Sequence, residues 1–230
     1  MTDPRKPTPV TVDPHTLTDW VFDLDNTLYP AECDLFAQID QRMGAFIGDL
    51  FDVGPVEAKT IQKQYFHTHG TTLRGLMVEQ NMAPEAFLDY VHEIDLEVLP
   101  PDPALDALLD RIPGRKFIFT NGSVPHAERV TERLGVRQHF EGIFDIVASD
   151  YLPKPDPLPY ARMVEHFGIA PNSAIMIEDI PRNLAPAAAM GMTTVLVPGR
   201  NQWQRDGMDA AHIDFVADDL VAWLTGLLAT

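Results

Sequence analysis

Asp23 and Asp25 stand two residues apart in Phe22-Asp23-Leu24-Asp25-Asn26-Thr27-Leu28-Tyr29, directly after the apolar run Trp20-Val21-Phe22. On a strand this spacing directs both side chains to one face. Carboxylates so close repel each other unless a cation or a proton intervenes. The pair could divide the work of a group transfer: one carboxylate to attack, the other to shuttle a proton, with a divalent metal between them. A solvated acidic β-turn has the same short motif, so the rest of the chain must decide.

Further polar clusters follow in order. Thr120-Asn121-Gly122-Ser123 sets a hydroxyl and small residues at a strand-to-helix junction, a good place for an oxyanion. Lys154, between Pro153 and Pro155, sits on stiff backbone that leaves its ammonium little freedom. Glu178-Asp179, with Asn183 shortly after, ends an apolar run where unpartnered carboxylates are costly. Oxygen ligands without His or Cys favour Mg²⁺ at such a pair.

The elements that must position these residues show in the apolar pattern. Strands are expected at Trp20–Asp23, Lys116–Thr120, Phe144–Ala148, Ala174–Ile177 and Thr193–Val197, with a weaker one at Asp214–Ala217. From Lys116 onward they alternate with helical stretches at Pro125–Leu134, Leu158–Phe167, Leu184–Met190 and Leu220–Leu228, the first three of which stop at a glycine. That alternation predicts an α/β fold, a parallel sheet flanked by helices. Every polar cluster above falls at the C-terminal end of a strand, the edge where such sheets bind ligands.

Between the first two strands the pattern is helical. Leu35, Ile39, Met43, Phe46 and Leu50 mark one helix face, and further helices are expected at 56–67, 72–80 and 84–93. The layout read from this is a flexible Pro- and Thr-rich tail at 1–13, a core formed by 14–30 and 100–230, and an all-helical insert at 31–99.

Composition bounds the function. Of 230 residues, 34 are acidic and 17 are Lys or Arg, a net charge of -17. That balance opposes nucleic-acid polymers and anionic membranes, but not a small phosphorylated ligand in a cleft with local cations. The lone Cys33 rules out an internal disulfide and fits a reducing compartment. With no long apolar segment and no signal-peptide pattern, the expectation is a cytoplasmic protein, a monomer or small homo-oligomer.

In order and spacing from about Asp19 to Ala217, these motifs resemble the haloacid dehalogenase superfamily of aspartate-nucleophile phosphotransferases. The resemblance implies a Rossmann-like core with the helical insert as a cap over the cleft. It implies Asp23 as the nucleophile that forms an aspartyl-phosphate and Asp25 as general acid and then base. Dehalogenases proper usually lack the second aspartate, so Asp25 favours a phosphatase. Thr120 and the Asn121 backbone amide would bind the phosphoryl oxygens, and Lys154 would neutralise charge. Mg²⁺ would be held by Asp23, the Asp25 carbonyl and Asp179, with Glu178 acting directly or through water and Asn183 supporting the loop.

Phe22–Pro30, the cap segment His67–Leu76 and Glu178–Leu184 resemble the pyrimidine 5′-nucleotidase branch, although Asp-Asp is commoner there than Glu-Asp. Arg74 would then contact a base or sugar, or else pair with Glu79 or another cap carboxylate. His67 and His69, without metal spacing, would be surface or cap–core contacts. The function implied is an Mg²⁺-dependent phosphomonoester hydrolase for nucleoside 5′-monophosphates, pyrimidines first. The alternatives are a phosphatase for phosphoglycolate or a sugar phosphate and a phosphomutase; further off lie a dehalogenase and a non-catalytic binding module, which has no need of Asp25.

Overall fold

The computed structural model describes residues 12–199 and 207–229, so the tail expected at 1–13 lies outside the described residues except for its last two. Strands β1 (Asp19–Phe22), β2 (Arg115–Phe119), β3 (Gly142–Phe144), β4 (Ala174–Glu178), β5 (Thr193–Leu196) and β6 (Phe215–Val216) form one parallel sheet in the order β3-β2-β1-β4-β5-β6. β1 lies inside the sheet and is buried along its whole length, which the apolar run Trp20–Phe22 anticipates for all but Asp19.

Alternate residues of β1 serve different cores. Trp20 and Phe22 pack on one face with α5 (Pro103–Arg111), α6 (Val124–Leu134) and α9 (Leu220–Leu227). Val21 packs on the other with α7 (Pro157–Phe167) and α8 (Pro181–Ala189). Register sets the site: Phe22 is level with Ile118 of β2 and Ile177 of β4, so Asp23, Phe119 and Glu178 arrive together at the C-terminal edge. Asn26 turns the chain there in the left-handed conformation (φ 64°), which asparagine tolerates better than most residues.

Between β1 and β2 lie α1 (Leu35–Phe51), α2 (Pro55–His69), α3 (Thr72–Gln80) and α4 (Pro84–Val91). Ile39, Tyr65, Leu73, Leu76, Phe87, Leu88 and Val91 form their shared apolar cluster. No helix among the described residues is long and apolar enough to cross a membrane.

Several expectations shift. β3 ends at Phe144 rather than Ala148, because the Asp145 carboxylate accepts from Val124 N (2.9 Å) and Ala148 N (2.8 Å) and folds the chain into a turn. Ile146 then leaves the sheet and buries itself in the α1–α4 cluster. Helix α5 was not expected, yet Asp102 caps it, Pro103 opens it, and Leu105, Leu108 and Leu109 give it a buried face. The buried face of α1 is Leu35, Ile39 and Ile47, while Leu50 is 45 % exposed. α8 starts at Pro181, ahead of the expected Leu184. The segment 67–76 is helical apart from a break at Gly70-Thr71.

Gly75 lets α3 lie against α2: a Cβ there would sit 2.4 Å from Tyr65 Cγ. Gly75→Ala should therefore destabilise the fold by about 1–3 kcal/mol through overpacking. Urea unfolding would show this as a lowered midpoint; an unchanged midpoint would mean that the two helices separate freely.

Candidate active site

Lys154 ties the strand ends together. Its buried ammonium donates to Asp23 Oδ1 (2.7 Å), Glu178 Oε1 (2.9 Å) and the Phe119 carbonyl (2.9 Å), which uses all three of its hydrogens. The partners come from the ends of β1, β4 and β2. Its backbone amide donates to Asn121 Oδ1 (2.9 Å), so the side chain of Asn121 fastens the lysine loop to the loop after β2.

Asp23 is gripped from both sides, since Thr27 Oγ1 donates to its Oδ2 (2.9 Å). Burial raises its pKa to about 7 against the pull of Lys154, and the charge of Glu178 adds to the rise. Asp179 lies well above the carboxylate range for the same reason, burial first and then the charges of Glu178 and Asp23. Lys154 moves up despite its burial, because Asp23 and Glu178 favour its charged form. Glu178 Oε1 also accepts from Asn183 Nδ2 (2.6 Å), and its Oε2 accepts from Ile180 N.

Oxygens of Asp23, Glu178 and Asp179 lie within 4.8 Å of one another, all buried. When ionised they carry three negative charges against the single charge of Lys154, an excess of two. An all-oxygen donor set with that excess fits a hard divalent cation.

Asp25 sits in different company. Its Oδ1 accepts from Tyr29 OH (2.6 Å) and from His126 Nε2 (2.9 Å). Burial opposes its charge, but His126 and the hydroxyl of Tyr29 outweigh that and hold its pKa below the usual value. His92 stacks on His126 with centroids 4.3 Å apart and 8° between planes, and its Nδ1 meets Ser123 Oγ at 3.1 Å. Burial and the neighbouring His126 depress His92 to about 3, so it stays neutral. Across the cleft Thr120 Oγ1 accepts from Gly122 N (2.9 Å), which leaves its own hydrogen to donate.

Asp23, Asp25, Thr120, Lys154, Glu178, Asp179 and Asn183 thus share one edge of the sheet, as their place after successive strands implied. Sequence reasoning missed Tyr29, His126, His92 and the side-chain role of Asn121. A helix opening at a strand end points its first turn at the cleft, which could have singled out His126; no sequence signal pairs it with Asp25.

Arg74 lies on the insert, lining a cavity of about 470 Å³ with His69, Val78 and the Pro153-Lys154 loop. It does not pair with Glu79, whose carboxylate meets His69 Nε2 at 2.8 Å. His67 makes a ring contact with its neighbour Phe66, and the Arg182 guanidinium lies over the Phe66 ring, 4.7 Å from its centroid, joining insert and core. Cys33 is a free thiol, partly buried against the core.

The architecture and several sequence relatives agree. An enolase-phosphatase E1 from Xylella fastidiosa is 31% identical over 101 residues, 42% of each chain. A phosphoglycolate phosphatase from Rhodospirillum rubrum is 31% identical over 100 residues, covering 41% of this chain and 40% of its own. The chain thus spans about two fifths of the length of these curated relatives. The structure of CbbY from Rhodobacter sphaeroides in complex with phosphate superposes with a TM-score of 0.62 at 18% identity, over 93% of this chain and 100% of that one, which shows a common fold. The haloacid dehalogenase-like hydrolase family matches residues 21–191, most of the chain and all of the clustered side chains, and the chain belongs to that family.

Proposed function

We propose that the protein is a phosphomonoester hydrolase working through an aspartyl-phosphate, with Mg²⁺ held by Asp23, the Asp25 carbonyl, Asp179 and Glu178. The observation that carries this reading is the separation of two near-identical carboxylates: Asp23 on Lys154 and Thr27, Asp25 on Tyr29 and His126. The first is placed to attack and the second to move a proton, a division that a binding module does not need.

Asp23 attacks phosphorus as the bond to the leaving oxygen breaks, and that oxygen takes a proton from Asp25. The ester's own negative charge, close to Asp25, opposes ionisation of that carboxyl and so favours its protonated form once substrate is bound. Asp25 next takes a proton from water, whose oxygen attacks phosphorus and frees Asp23. Thr120 and the Asn121 backbone amide donate to phosphoryl oxygens, and Lys154 stabilises the charge that Asp23 carries. A bound divalent ion would supply positive charge for the phosphoryl oxygens.

Residues 31–99 would be the cap domain over a core of 14–30 and 100–230, and the substrate a small phosphorylated metabolite met in the cytoplasm. For nucleoside 5′-monophosphates, pyrimidines first, the support is the resemblance of the motif sequences. For a small acid phosphate the support is structural: Arg74 has no carboxylate partner among the described residues and lines a cavity beside the lysine loop. Two relatives named as phosphatases, an enolase-phosphatase E1 and a phosphoglycolate phosphatase, point the same way. We favour the second reading.

Phosphate release from nucleoside monophosphates, sugar phosphates and phosphoglycolate, with and without Mg²⁺, tests this. Asp23→Asn should lower kcat by at least about 1,000-fold; near-normal turnover would remove Asp23 as nucleophile. Better turnover of UMP and CMP than of phosphoglycolate would restore the nucleotide reading.

The pH dependence of metal binding is a second test. With its pKa raised to about 7, Asp23 is protonated in the metal-free fold at lower pH. A raised carboxyl contributes stability in acid that is lost as pH rises through the folded value. Metal needs the ionised form, so the gain in Tm from added Mg²⁺ should be small near pH 5 and grow through about pH 7 to 8. Thermal unfolding with and without Mg²⁺ measures it, and a gain independent of pH would count against a metal on Asp23.

A further inference from the structure

Tyr29 and His126 converge on the same oxygen of Asp25, Oδ1, and neither touches Oδ2. Oδ2 faces the other way. A Cβ built on Gly122 would stand 3.7 Å from Asp25 Oδ2, 3.3 Å from Thr120 Oγ1 and 3.3 Å from His126 Cδ2, so Oδ2 lies beside this loop. One oxygen is held by the fold, and the other opens on the loop that carries Thr120.

His126 is itself held. It is fully buried in the first turn of α6, with His92 stacked flat against it, and a carboxylate acceptor requires that Nε2 carry the hydrogen. His92 is fixed by Ser123 Oγ on its ring, while the Arg129 guanidinium donates to its carbonyl. It directly follows α4, the last helix of the insert, so the support for Asp25 reaches from β1 through α6 to the insert's return.

We propose that Tyr29 and His126 are positioning residues that commit Asp25 Oδ1 to the fold and so make Oδ2 the oxygen that carries the transferable proton. This rests on the phosphatase reading above. When the phosphorus–oxygen bond breaks, its electron pair stays on the leaving oxygen, which takes the proton from Oδ2. The proton of the attacking water then returns to the same atom, so one oxygen performs both transfers without rotation of the carboxyl group.

The test compares two leaving groups. p-Nitrophenolate departs without a proton, whereas an alkoxide needs one. For Tyr29→Phe and His126→Phe, kcat/KM on butyl phosphate should fall at least about tenfold further than kcat/KM on p-nitrophenyl phosphate, part of the ~100- to 10,000-fold that general acid help is worth. His126→Gln, which keeps an N–H donor near the Nε2 position, should recover most of the loss on butyl phosphate. Equal falls on both esters in Tyr29→Phe, which loses a single oxygen atom, would overturn the proposal and make these residues structural supports; so would unchanged kinetics on both. Absence of Asp23-dependent turnover of p-nitrophenyl phosphate by the wild type would overturn the phosphatase reading itself, and this inference with it.

Discussion

Everything at the sheet edge depends on one buried ammonium. Lys154 stands between Asp23 and Glu178, at 2.7 and 2.9 Å, where burial makes every one of these charges unfavourable alone. Removing one partner of such a pair typically costs about 3–5 kcal/mol, because the remaining charges are left uncompensated. The parallel register prepares the meeting: β1 lies between β2 and β4, so the residues that end these strands arrive level. The lysine comes from outside the sheet and needs its own support. Asn121 holds its amide, and Pro153 beside it abuts Gly70, where an added Cβ would come within 2.9 Å of the proline ring.

Around that ammonium, identical chemistry is sorted by environment. Asp23, Asp25 and Asp179 are the same residue type, yet burial among carboxylates pushes the first and third up while His126 and Tyr29 draw the second down. Charge placement achieves this with few atoms. The stacked imidazoles are a case in point: His92, held neutral, can lie against His126 without adding charge beside Asp25.

Much of the fold was legible because buried parallel strands centre on apolar runs, as Trp20–Phe22, Phe117–Phe119 and Ala174–Ile177 do in β1, β2 and β4. The polar edge of the sheet was legible for the same reason, since polar residues directly after such runs have one place to go. Failure came where apolar residues serve something other than the sheet. Ile146 and Val147 read as strand, but Asp145 spends its carboxylate on capping α6 and turns the chain away. Helix α5 was hidden behind the prolines of 100–103, although Asp102 before Pro103 is itself a start signal. His126, one partner of Asp25, was invisible because a contact between residues 25 and 126 has no local signature. For Arg74 the local alternative, a pairing with Glu79, is not taken up, because Glu79 meets His69 instead.

Ile146 also limits how the two parts of the molecule can be exchanged. The apolar cluster of α1–α4 is completed by this side chain, which belongs to the turn after β3, with Tyr151 packed beside it. A helical insert transplanted onto another core would arrive with a hole in its centre, and this core, given a foreign insert, would present a buried isoleucine to water. An exchange of α1–α4 in this chain would therefore have to carry the segment around 145–151 along with it. The unit that packs as one is discontinuous in the chain.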